Sequence, residues 1–235
     1  MKNLIVANWK MNPESANKAK EIFDAVKNGV GKTNSEVVIC PPYVYLPLLS
    51  GLILGAQSVF YQEKGAFTGE VSPLMLKNLN VEYAIIGHSE ARKYLNETDE
   101  IINKKIKTAL LDGLKVIFCI GETEAQRDAG KKNEVIERQI KIGLSGVDNF
   151  ENLNIAYEPV WAIGTGNNCS VKETAESITF IRNIIKSDLV RIIYGGSVKS
   201  ENSESYIKDS GASGLLVGGA SLNPEEFLKI IKSAE

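Results

Sequence analysis

The chain has 235 residues, 43% of them hydrophobic and 24% charged, and a formal net charge of −2. That apolar share supplies a sizeable core, and so balanced a charge gives no reason to expect nucleic acid or an anionic membrane surface as a partner. The three cysteines, Cys40, Cys119 and Cys169, lack metal-ligand or CxxC spacing and read as reduced thiols of a cytoplasmic protein. The apolar start at residues 4–7 is too short for a signal peptide, and no apolar run approaches the ~18 residues of a membrane span.

Apolar, β-branched-rich runs alternate with amphipathic stretches from one end to the other. In chain order, strands are expected at residues 4–7, 37–40, 52–55, 83–86, 116–120, 155–157, 191–194 and 214–217. Between them helices have readable starts and stops. Asn12-Pro13 reads as an N-cap and first-turn proline, with the helix stopping at Asn28-Gly29. Ser170 to Glu173 has the spacing of a capping box, followed by Ile178, Ile181 and Ile185 on one face. Asn223-Pro224-Glu225-Glu226 opens the last helix with acidic residues where the helix dipole favours them.

Eight strand–helix repeats of about 29 residues fit the ~30 of a βαβ unit. Strands each followed by a helix run parallel, and parallel sheets need both faces covered. With no composition break, the pattern predicts one α/β domain over residues 1–235, a closed (β/α)8 barrel. A doubly wound sheet is the alternative, weakened by the absence of GxGxxG after the first strand. Chemically suggestive residues fall at the ends of strands 1, 4, 6, 7 and 8, which converge on one mouth only in a barrel.

Glu158 sits where the sixth strand ends, followed by Pro159 and by Val160-Trp161-Ala162-Ile163 before Gly164 and Gly166. Four apolar residues in a glycine-bracketed loop must cover something. A strand-end carboxylate beside such a flap suggests a general base that can be sealed from water, although a strand-end Glu alone reads more simply as a solvated rim residue. Asn8 and Lys10, two apart at the first strand's end, point to the same face and place a positive charge at the mouth. His88, the only histidine, directly follows an apolar strand. Tyr194-Gly195-Gly196-Ser197 and Gly218-Gly219-Ala220-Ser221 follow strands 7 and 8, where barrels commonly hold phosphate on backbone N–H groups.

Four stretches in this order, Asn8-Trp9-Lys10, Gly87-His88-Ser89-Glu90, residues 154–166 and Tyr194-Gly195-Gly196-Ser197, together resemble the triosephosphate isomerase family, over essentially the whole chain. The resemblance implies interconversion of dihydroxyacetone phosphate and glyceraldehyde 3-phosphate through an enediolate, a step of glycolysis and gluconeogenesis, with no metal or organic cofactor. It implies Glu158 as base, His88 as electrophile and proton shuttle, and Lys10, steadied by Asn8 and near Glu90, as offset for negative charge. In that family a helix N-terminus lowers the matching imidazole's pKa and keeps it neutral, so a turn starting at Ser89 is expected to do so for His88. Gly164, Ser197, Gly218 and Gly219 are implied as phosphate contacts. Tyr194 and Ser197 are implied as lid latches, and Ile163 with Leu216 as a clamp whose desolvation strengthens the base. Cys119 is implied to pack near the base, as an inert thiol.

Two positions depart from the family pattern. Asn167-Asn168-Cys169 replaces a lysine followed by small residues after the lid tip, and Ala91 precedes Arg92 where two arginines are usual. An aldolase using a Schiff-base lysine and a non-catalytic barrel are the competing readings. The joint presence of Asn8, Lys10, His88 and Glu158 argues against the second. Finally, the stretch from Gln57 to Ser72 lacks clear periodicity and carries Phe60, Tyr61 and Phe67. Composition alone suits a loop folded on its own barrel. The resemblance instead implies a homodimer loop, with Thr68 bracing the partner's site near Lys10 and His88.

Overall fold

Parallel strands buried on both faces are written as nearly unbroken apolar runs, and eight such runs close here into a single barrel. In the computed structural model, which describes residues 1–163 and 168–235, the strands are β1 (Leu4–Asn8), β2 (Glu36–Cys40), β3 (Ile53–Ala56), β4 (Val81–Ile86), β5 (Lys115–Ile120), β6 (Leu153–Tyr157), β7 (Arg191–Tyr194) and β8 (Gly214–Val217). Each pairs in parallel with its chain neighbour, and β1 closes the ring against β8 with Leu4 opposite Gly214. The expected barrel is therefore the observed one. Expected strand bounds hold to within two residues. The third strand lies one residue later than expected, beside a register shift between Leu54 and Gly55.

Alternation along each strand divides the core in two. Leu4, Val6, Val38, Tyr83, Ile85, Ile117, Ile193 and Leu216 fill the barrel, while Ile5, Ala7, Ile39, Ile155 and Ile192 face the helices. Those helices are α1 (Ala16–Gly29), α2 (Pro73–Asn78), α3 (Ser89–Tyr94), α4 (Asp99–Leu111), α5 (Glu124–Asp128), α6 (Lys132–Gly143), α7 (Val171–Ile185), α8 (Ser200–Asp209) and α9 (Pro224–Ser233). Among the described residues no helix is long and apolar enough to cross a membrane.

Helix starts follow local chemistry, with one correction. The capping box at Ser170 and Glu173 forms in both directions, and Ile178, Ile181 and Ile185 are buried. Asn223 caps α9 through Glu226 N–H. The first helix does not start at Asn12-Pro13. Its N-cap is Ser15, whose hydroxyl accepts from Lys18 N–H, because the Asn12 side chain is turned back to donate to Trp9 O at 3.4 Å.

Polar residues close the end of the barrel opposite the mouth. Arg191 donates to Glu36 at 2.6 Å, Asn154 at 2.8 Å and the Tyr83 hydroxyl at 3.0 Å, and Lys115 approaches Glu36 at 3.1 Å. Burial opposes ionisation of Glu36, but hydrogen bonds from Tyr83, Arg191 and Lys115 prevail and hold it at about 2, against 4.5 for a free side chain. A depressed carboxyl stabilises the fold above its unfolded pKa and loses that contribution as pH falls towards the folded one. Arg191→Met is therefore expected to cost about 3 kcal/mol at pH 7, with the deficit shrinking between pH 4.5 and 2. Urea unfolding at pH 7 and at low pH measures this; a deficit below about 1 kcal/mol, or one indifferent to pH, contradicts it.

Candidate active site

The mouth begins where β1 stops. Trp9 N–H bonds Cys40 O, and Lys10 turns into a left-handed conformation at φ 53°, which a non-glycine residue adopts only when held there. Three tethers hold it. Asn8 Oδ1 accepts Lys10 N–H at 3.0 Å, Gln57 Nε2 donates to Lys10 O at 2.8 Å, and Lys10 Nζ pairs with Glu90 at 2.5 Å. Lys10 thus reaches the mouth by a turn rather than by strand alternation. Gln57, expected in the partner-facing loop, points inward instead and also bonds Cys40 O at 2.9 Å.

At the end of β4, Gly87 takes φ +75°, and an added Cβ would press Ile102, Arg92 and Cys119 O. The chain then enters α3 with His88 as N-cap, its Nδ1 accepting Glu90 N–H at 3.2 Å. Holding Nδ1 as acceptor places the proton of a neutral ring on Nε2. Nε2 faces Glu158 Oε1 at 3.0 Å. The expected downward pKa shift is corrected here. Burial does push the ring down, but the Glu158 carboxylate, by charge and hydrogen bond, outweighs it and the net direction is upward. Arg92 braces this corner through Gly87 O at 2.8 Å, Cys119 O at 3.2 Å and Asp99 at 2.5 Å.

Glu158 is 2% exposed. Its second oxygen accepts Ser89 N–H at 3.1 Å, so both carboxylate oxygens are engaged. Two glycines make room for it. A Cβ on Gly121 would sit 1.7 Å from Glu158 O, and one on Gly195 would lie 3.0 Å from Glu158 Cγ. Gln139, buried on α6, clamps Gly121 by accepting its N–H at 2.8 Å and donating to its O at 3.2 Å. Burial first, then the Glu158 charge, pushes the nearby Cys119 thiol well above its ordinary value.

Beyond Glu158 the chain is anchored by a residue that carried no motif signal. Glu122, fully buried, accepts Trp161 Nε1–H at 2.9 Å and the Tyr157 hydroxyl at 3.2 Å, and its O accepts Val160 N–H at 3.0 Å. The Arg127 guanidinium lies 3.8 Å from the Trp161 ring centre. Ser197 Oγ donates to Ala162 O at 2.6 Å, joining the loop after β7 to this segment. Asn202 on α8 fixes that loop by donating to Ser197 O at 3.1 Å and accepting Lys199 N–H at 2.8 Å. Tyr194 stacks on Tyr206 with ring centres 4.0 Å apart. Gly164 and Asn167 lie outside the described residues, whereas Cys169 is buried with its O accepting the Tyr206 hydroxyl at 2.5 Å.

These parts surround one cavity of about 680 Å³ at the C-terminal ends of the strands. Asn8, Lys10, His88, Glu158, Ser197, Gly218 and Gly219 all line it, as do Ile163 and Leu216. Gly218 comes close to Lys10, since an added Cβ would lie 3.5 Å from Lys10 Cε. Every expected catalytic or phosphate-contacting residue within the described chain therefore meets in one place, whereas Tyr194, expected as a lid latch, does not line the cavity. The arrangement sets a buried carboxylate, an imidazole N–H and an ammonium around one space, with small backbone-exposing loops opposite.

A family model described as triosephosphate isomerase matches residues 3–234. A protein named triosephosphate isomerase from Thermoanaerobacter sp. (strain X514) is 47% identical over 243 aligned residues, covering 97% of this chain and 98% of that relative. The protein of the same name from Dictyoglomus thermophilum is 45% identical over 247 residues, covering 99% of both. That from Clostridium tetani is 43% identical over 248 residues, covering 98% of this chain and 96% of its own length.

Proposed function

The chain belongs to the triosephosphate isomerase family and so interconverts dihydroxyacetone phosphate and glyceraldehyde 3-phosphate, and we propose that Glu158, His88 and Lys10 carry this reaction. Glu158 takes a proton from the carbon beside the substrate carbonyl, and the resulting enediolate receives it back on the neighbouring carbon. His88 Nε2–H and the Lys10 ammonium stabilise the oxygen on which negative charge develops, and His88 passes the hydroxyl proton from one enediolate oxygen to the other, so that carbonyl and hydroxyl change places. Asn8 holds Lys10, while Ser197, Gly218 and Gly219, with Gly164, receive the phosphate.

The observation that carries this reading is the 3.0 Å contact between Glu158 and His88 Nε2 inside the cavity. A substrate oxygen that takes over the Nε2–H frees Oε1 to act as a base, so binding and activation are one exchange of partners. Trp161 anchored on Glu122, and Ala162 tied to Ser197, support a lid hinged at its N-terminal end. The experiment is a coupled assay that follows glyceraldehyde 3-phosphate appearing from dihydroxyacetone phosphate. Absence of conversion by folded protein refutes the reading.

The homodimer belongs to the same proposal. The Phe60 ring packs at a tilt against Tyr61 and Phe67, with ring centres 4.2 and 4.8 Å away, and Phe60 N–H closes the loop base on Val71 O. The tip nevertheless projects, with Thr68 exposed and Phe67 42% exposed. Met11 beside Lys10 is 93% exposed, and Val44, Tyr94 and Leu95 are also bare. An apolar surface of that kind suits a partner copy. Sedimentation is expected to show a dimer, and Thr68→Glu a monomer with much lower turnover. A fully active parent monomer at micromolar concentration contradicts this. The metabolic role and unpaired cysteines suit the cytoplasm.

A further inference from the structure

The charges around the cavity do not, at first sight, suit a phosphate dianion. Glu158, Glu201 and Glu226 all line it, and Lys10, one of two lysines lining it, is already paired with Glu90 at 2.5 Å. The chain as a whole is also negative, at −2. The second lysine is Lys199, which stands exposed at the N-cap of α8 with an extended backbone. No salt bridge engages it among the described residues. It does sense Glu226, whose carboxyl is lowered first by the Ser200 amide and also by Lys229 and Lys199.

Its root is fixed while its head is free. Asn202 accepts Lys199 N–H and donates to Ser197 O, so the lysine is held two residues from the hydroxyl that reaches the lid. A flexible ammonium on a rigid root, at the rim beside phosphate-sized loops, is suited to meeting an anion before it is seated. We propose that Lys199 is a substrate-capture residue, whose unpaired charge draws the substrate phosphate to the Ser197–Gly218 side of the cavity before Lys10 engages it. This rests on the triose phosphate reading above, and it assigns Lys199 no part in proton transfer.

Capture by charge has a signature that a structural role lacks, because it fades as salt screens it. The Debye length falls from about 30 Å at 0.01 M to about 8 Å at 0.15 M ionic strength. Lys199→Gln is expected to lower kcat/KM about threefold to tenfold at 0.01 M and less than about twofold at 0.15 M, with kcat falling less than kcat/KM. Inorganic phosphate, titrated directly into the protein, is expected to bind more weakly to the variant by a similar factor. Lys229→Gln, the same charge change on a lysine that does not line the cavity, controls for net charge. A loss independent of salt, an equal loss in Lys229→Gln, or no loss overturns the proposal. If the parent binds phosphate but does not interconvert the trioses, the functional reading fails instead, and the phosphate titration still judges Lys199.

Discussion

Glu158→Gln is expected to reduce turnover by about 10²–10⁴-fold while leaving the barrel folded. The side chain contributes charge rather than core volume, and Gln preserves its length. One consequence of its setting is specific. Both Glu158 oxygens accept hydrogen bonds, from His88 Nε2 at 3.0 Å and from Ser89 N–H at 3.1 Å. An amide replaces one acceptor by a donor, which then faces another donor, so a stability loss of about 1–3 kcal/mol should accompany the kinetic one. Circular dichroism and urea unfolding separate the two effects. A folded variant with near-parental turnover removes Glu158 from the chemistry.

Lys10→Met should also cost about 10²–10³-fold in kcat/KM, the scale of losing one preorganised donor to a developing oxyanion. The structure makes the loss worse than simple neutralisation. Glu90, now paired with Lys10 at 2.5 Å, would face the incoming dianion uncompensated. Stability should change little, because Met meets the same left-handed backbone at φ 53° and keeps the tethers from Asn8 and Gln57. Steady-state kinetics beside thermal unfolding checks both halves. Retention of more than about half of the parental kcat/KM, in a folded variant, contradicts the assigned role.

Much of the fold was legible because a closed parallel barrel writes its strands as continuous apolar runs. Residues 37–40 and 116–120, for example, are buried throughout. The first helix starts at Ser15 rather than Asn12, although both are good caps. The choice depends on Asn12 donating to Trp9 O, which local sequence does not reveal. At the site, Lys10, His88 and Glu158 stood out because their residue types are awkward at strand ends and their motifs recur in a family. Gln57, Glu122, Gln139 and Asn202 did not. Except for Asn202, each acts through a partner far along the chain, as Gln57 does on Lys10 47 positions away. The Asn202 spacing to Lys199 was local, at three residues, and was a readable cap signal. The His88 shift shows the same limit. The helix start at Ser89 is foreseeable, but the carboxylate that raises the ring's pKa against burial belongs to a different strand end.

The central claim is that a buried carboxylate moves a proton between two carbons, and solvent deuterium reports it most directly. Run in deuterium oxide to equilibrium, the parent enzyme should leave deuterium on the carbons beside the carbonyl in both triose phosphates, because the proton rests on an exchangeable Glu158 oxygen during each turnover. Glu158→Gln should slow exchange and isomerisation together. Interconversion by the parent over many turnovers with no deuterium in either triose phosphate would contradict the account, since the hydrogen would then never have rested on a carboxylate that exchanges with solvent.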